Sequence, residues 1–97
     1  MRCGSIIAQI KVPPTKRVYT KHTEYCLYFY NGSCDVCMKR CPAGAITKNG
    51  HDKDKCRKYC DGLCTEHTKK MYNLEIDTCG LCQTNVPCES GIPIKTK

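Results

Sequence analysis

The one clear alternation of apolar and polar positions lies at the start of the chain. Ile6, Ala8, Ile10 and Val12 fall on one face, with Ile7, Gln9 and Lys11 on the other, the period of two that marks a strand. Pro13-Pro14 ends that run, and Pro14 to Thr23 reads as a connector rich in Lys, Arg and Thr. A strand needs a partner sheet, and the chain offers little to supply one. The segment 1–23 is therefore expected to be an extended strand and connector borrowed from a larger protein. Beyond it the pattern breaks into short pieces. Tyr25-Cys26-Leu27-Tyr28-Phe29-Tyr30 is an aromatic run followed by a turn at Asn31-Gly32, and Asp35 to Arg40 suits a short helix stopped by Pro42. Ala43 to Thr47 reads as a short strand closed by a turn at Asn49-Gly50. Asp52 is placed to N-cap a helix through Lys55, Tyr59 and Leu63, weakened by Gly62. Met71 to Ile76 leads into a second cysteine group, and Gly91-Ile92-Pro93 opens a short tail.

Composition explains how such fragments could hold together. Ninety-seven residues with no tryptophan and one phenylalanine build only a thin core, so a staple is required. Eleven cysteines are dense enough to suggest a cysteine scaffold. Disulfide frameworks belong to oxidising compartments. The apolar residues before Gln9 and Lys11 are too few for a signal-peptide core, and an odd count leaves one thiol unpaired. No stretch approaches the length of a membrane span. The expectation is a reduced, soluble, cytoplasmic protein with no membrane partner.

Spacing then selects among metals. Cys34-x2-Cys37-x3-Cys41-Pro42 and Cys79-x2-Cys82-x5-Cys88 resemble the ferredoxin run C-x2-C-x2-C-x3-C-P, whose last cysteine serves the other cluster. The first position of that run would fall on Asn31, which cannot replace a thiolate. The nearest upstream thiol is Cys26, and the turn at Asn31-Gly32 lets it fold back into that corner. If ligands cross between groups, one [4Fe–4S] cluster takes Cys26, Cys34, Cys37 and Cys88. A second takes Cys41, Cys79, Cys82 and one more, for which Cys56 is the choice. Zinc is the rival, because Cys-x2-Cys twice is also a zinc-ribbon signature. The third cysteine in each group and the Pro42-Ala43-Gly44-Ala45-Ile46 context favour iron–sulfur.

The string Cys34 to Ile46, with His51-Asp52-Lys53-Asp54-Lys55-Cys56, Cys79-Gly80-Leu81-Cys82-Gln83-Thr84 and Val86-Pro87-Cys88-Glu89-Ser90-Gly91-Ile92-Pro93, resembles the iron–sulfur domain of epoxyqueuosine reductase-like proteins. Arg2-Cys3-Gly4-Ser5 and the apolar stretch after it resemble the junction where the cobalamin domain of those proteins ends. The resemblance covers nearly the whole chain. It implies a ferredoxin-like α+β domain over 24–97 and a ligand in a helix fifteen residues after Cys41, the place of Cys56. Family members reduce epoxyqueuosine in tRNA to queuosine with cobalamin and two clusters. This chain has nothing that would bind cobalamin or supply the catalytic acid. The implied role is therefore relay of single electrons to a redox partner protein or a cobalamin-binding domain, with tRNA contact as an accessory function.

The remaining residues are read more plainly. Cys56, Cys60 and Cys64 recur every four residues and line one helix face. Cys60 and Cys64 are alternative ligands or redox thiols on one reading, and small apolar packing residues on the favoured one. Cys3 has no assigned role. His22, His51 and His67 read as surface or helix-end residues. Tyr25, Tyr28, Phe29, Tyr30 and Tyr72 read as bulk for a short core. The formal charge is +7; eight thiolates on two clusters with 2+ cores would lower it to about +3. Lys11, Lys16, Arg17, Lys21, Lys69, Lys70, Lys95 and Lys97 would meet phosphates only if folded onto one face. No Ser–His–Asp set, phosphate loop or spaced carboxylate pair is present, so no enzyme acting alone is expected.

Overall fold

A computed structural model of the chain describes residues 4–94. Met1–Cys3 and residues 95–97 lie outside it, and with them Cys3, Lys95 and Lys97. Residues 4–19 form no helix and pair with no strand among the described residues. Ile6 and Ile7 are almost wholly exposed, at 93% and 102%, and Ile10, Val12 and Val18 are largely so. The alternation is present in the sequence, but no sheet edge receives it. The radius of gyration, 16.9 Å, exceeds the roughly 12.5 Å of a compact chain of this length, as this outlying segment requires.

Regular structure begins after a turn at Lys21–Tyr25, held by the Glu24 carboxylate, which accepts hydrogen bonds from Thr20 N–H (3.1 Å) and Lys21 N–H (3.3 Å). Helix α1 runs Leu27–Asn31 with Cys26 as its N-cap residue. Gly32 ends it at φ 73°, donating its N–H to Tyr28 O. This left-handed position suits glycine, which has no Cβ to clash. The Asn31 side chain then accepts from Ser33 N–H (3.0 Å) and turns the chain towards Cys34. Helix α2, Val36–Arg40, stops at Cys41 in extended conformation (φ −75°, ψ 108°), as the residue before a proline must.

Strands β1 (Ile46–Thr47) and β2 (Gly50–His51) form a two-stranded antiparallel hairpin with Ile46 opposite His51. The loop residues are Lys48-Asn49, one position earlier than the Asn49-Gly50 turn expected, because Gly50 takes φ 114° as the first residue of β2. Asp52 caps helix α3, Lys53–Tyr59, by accepting from Lys55 N–H (3.0 Å). The helix does not fail at Gly62. It widens into a π-helical turn over Cys60–Cys64 and continues as α4, Thr65–Tyr72. The architecture is a small mixed α+β arrangement. No helix among the described residues is long and apolar enough to cross a membrane.

Its conventional core is very thin. Among the described residues only Ala45 and Val86 are buried hydrophobics. Two side-chain clips fold the cysteine segments together instead. Arg40 donates through Nε to Leu81 O (2.8 Å) and reaches Thr84 Oγ1 at 3.4 Å, joining α2 to the Cys79–Cys82 loop. Thr68 Oγ1 accepts from Ile76 N–H (3.1 Å) and shares its own proton between Thr65 O (3.2 Å) and Ile76 O (3.3 Å). With Asn73 left-handed at the end of α4, Thr68 turns the chain back along the helix and returns Cys79 towards α3.

Candidate metal centres

Nine of the cysteines fall into two nests. Cys26 is the residue before α1, Cys34 lies in the loop before α2, Cys37 sits on α2, and Cys88 arrives from the C-terminal loop. These four line one cavity of about 220 Å³ with His22, Tyr25, Leu27, Val86 and Pro87. That is far more than the roughly 10–15 Å³ a single water needs. The loop bearing Cys88 is held by Asn85 N–H donating to Glu89 Oε2 (2.8 Å) and Glu89 N–H to Val86 O (3.0 Å). Buried Val86 forms the wall of this nest.

The second nest lies between the hairpin and α3. Cys41, Cys56, Cys79 and Cys82 line it together with Cys60, Ile46, His51 and Tyr59. It is nearly closed, at about 20 Å³, little more than one water. Five thiols crowd this small space. A cluster enters only if these side chains swing outward. Ala45 N–H donates to Cys41 Sγ (3.3 Å), the kind of N–H···S bond that tunes a thiolate ligand. Ala45 O in turn accepts from Asp52 N–H (2.8 Å), so the donor is fixed from both sides.

Electrostatics follow the same partition. Burial pushes the Cys37 thiol above its ordinary value, and neighbouring Cys26, Cys34 and Cys88 add to the rise. Burial likewise raises Cys82, reinforced by Cys41, Cys56 and Cys79. Cys60 is pushed up to about 11, first by burial and then by Cys56, Cys64 and Cys79. Burial also raises Cys64, with Cys79 next. Crowded thiols resist ionising together, because each thiolate repels the next. A bound cation reverses that balance, taking the place of the protons.

All eight cysteines singled out by spacing thus line one or other nest, four in each. The sequence offered little warning of two features. Cys60, read first as a packing residue and second as an alternative ligand, lines the second nest, and Cys64 does not. Arg40 ties the two cysteine runs together, with no signal beyond its place next to Cys41. His22 and His51 also line the cavities and are exposed, whereas the cysteines are half-buried apart from exposed Cys88. Among the described residues no three Cys, His, Asp or Glu side chains converge closely enough to hold a single metal ion. The thiols surround cavities rather than points. No protein-family model, curated protein or solved structure matches the chain.

Proposed function

We propose that the chain is an electron-transfer module of ferredoxin-like type carrying two [4Fe–4S] clusters and relaying single electrons to a redox partner. The observation that carries this reading is the gathering of nine thiols, scattered over about sixty residues, into two cavities, four in the first and five in the second. The donors are soft sulfur ligands, which select iron–sulfur, zinc or copper(I) over hard cations. Spread sulfurs suit the larger polyhedron of a cubane better than the tight tetrahedron of one zinc ion. The nearly absent apolar core supports a fold organised by its cofactors.

Under this reading Cys26, Cys34, Cys37 and Cys88 hold one cluster, and Cys41, Cys56, Cys79 and Cys82 hold the other. When bound, each cluster supplies a one-electron carrier. The protein's own part is to orient and shield. Tyr25, Leu27, Val86 and Pro87 exclude water from the first nest, and Ile46, Tyr59 and Pro42 from the second. The Ala45 N–H stabilises negative charge on Cys41 Sγ. The partner class is a redox protein or a cobalamin-binding domain, with tRNA contact as an accessory role of the exposed lysines. On α4 Lys69 is already engaged by Glu75 at 2.8 Å, which leaves less free charge there for phosphate.

The test is iron, sulfide and zinc per chain on protein purified without oxygen. About eight irons and eight sulfides are expected. Zinc without sulfide, persisting after reconstitution with iron and sulfide, overturns the reading in favour of a zinc-binding structural module. A gel-shift titration with tRNA over several salt concentrations checks the accessory contact, whose affinity must fall as salt rises.

A further inference from the structure

Five thiols, not four, line the second nest, while a cubane takes one thiolate per iron. We propose that Cys56 and Cys60 are exchangeable ligands of that centre, either one completing the set formed by Cys41, Cys79 and Cys82. The inference rests on the iron–sulfur reading above and concerns only how the second cluster is held.

The helix geometry explains why both thiols reach the same cavity. Residues four apart on an α-helix are offset by about 40°, so Cys60 stands one turn beyond Cys56 on nearly the same face. Cys60 also opens the π-helical turn Cys60–Cys64, where the wider winding rotates the following residues back. This keeps Cys64 on the same side of the helix, where the neighbouring Cys79 raises its thiol above the ordinary value after burial. Cys64 does not line the cavity and is no ligand in this scheme. At the junction Cys60 O accepts from Thr65 N–H across the π turn and from Thr65 Oγ1 at 3.1 Å. That carbonyl stays satisfied if the turn tightens or relaxes, and π turns of this kind recur at functional sites.

The exchange is balanced without any oxidant or reductant. Whichever of Cys56 and Cys60 held the iron would do so as a thiolate while the other carried the proton, so a change of ligand would move one proton from the incoming thiol to the outgoing one. Cys56 and Cys60 line the same cavity, so the proton has an acceptor within the nest. Iron oxidation states do not change. Neither thiol has to leave the nest, and the free one remains beside the cluster.

The experiment compares iron and sulfide in wild type, Cys56→Ser, Cys60→Ser and the double variant, each reconstituted without oxygen. Each single variant is expected to keep the wild-type content, and the double variant to lose about half of it. A Cys56→Ser protein that loses half by itself overturns the exchange while leaving the iron–sulfur reading intact. A wild type that takes up no iron and sulfide overturns both. Because Cys56→Ser lies in α3 and can fail to fold, a second measurement uses the wild-type holoprotein. It is treated with slow, substoichiometric iodoacetamide and mapped by mass spectrometry. Label on either Cys56 or Cys60, never on both in one chain while iron is retained, is the expected pattern. Label confined to Cys60 overturns the proposal.

Discussion

Arg40 provides the sharpest test of how this fold is held, because it joins two cysteine runs across forty-one residues of sequence. Its Nε donates to Leu81 O at 2.8 Å, and its reach to Thr84 Oγ1 at 3.4 Å adds little. A hydrogen bond from a charged donor is worth roughly 1.5–3 kcal/mol when well shielded. Arg40 is only half-buried, so we take about 1–1.5 kcal/mol for Arg40→Ala. In a domain of this size each kcal/mol moves the melting temperature by about 4–8 °C, which gives a fall of about 4–12 °C. Arg40→Lys is expected to lose nearly as much, since an ammonium at the chain end has no donor at the Nε position. Lys39→Ala is the control. The Lys39–Asp35 pair, at 2.9 Å with the lysine side chain 74% exposed, is expected to contribute no more than about 0.5 kcal/mol. Thermal unfolding of the loaded proteins, followed by cluster absorbance and far-ultraviolet dichroism together, is the assay. An Arg40→Ala protein that melts with wild type and retains its full iron content would refute the reasoning.

Other consequences are more local. Cys37→Ser and Cys82→Ser, one in each nest, are each expected to lose about half the iron and sulfide and to melt well below wild type; unchanged iron and melting in both would remove the ligand assignment. Thr68→Val keeps the shape of the side chain but deletes the hydroxyl that accepts from Ile76 N–H, at an expected cost of about 1 kcal/mol and with faster amide exchange at Ile76. Asp52→Ala removes the cap on Lys55 N–H and is expected to cost about 1 kcal/mol, readable as a lower urea midpoint. The Glu24 carboxyl is held below its ordinary value chiefly by the Thr20 N–H, then by the Lys21 N–H. A depressed folded-state value contributes stability above the unfolded carboxyl range and loses it as pH falls through the lowered value. NMR titration should therefore show Glu24 and the Thr20 and Lys21 amides moving together at a pH below the usual carboxylate midpoint.

Local chemistry was legible wherever a residue acts on its near neighbours. Asp52 caps α3, Pro42 stops α2 by constraining Cys41, and Gly32 with Asn31 turns the chain between Cys26 and Cys34, all from signals within a few positions. The hairpin was legible in kind but misplaced by one residue, because only the folded register shows that Gly50, not Asn49, occupies a strand position. The N-terminal alternation shows the limit of the same logic. Period two describes a side-chain pattern, and a strand also needs a neighbouring edge, which no described residue supplies.

The sequence by itself determined which atoms are on offer: eleven thiols, their spacing, and too few apolar residues to fold without help. It also divided eight of those thiols into two groups of four, each group lining one cavity, the second together with Cys60; their service as cluster ligands is our proposal. Only the tertiary structure decided that Cys60 joins Cys56 in the second nest, since that depends on the π turn and on where the Cys79 loop returns. Only it shows Thr68 and Arg40 bringing that loop home. Helical and strand periodicities report which face of an element a residue occupies. What lies opposite that face is set by loops and by hydrogen bonds between distant segments, and these leave no period in the chain.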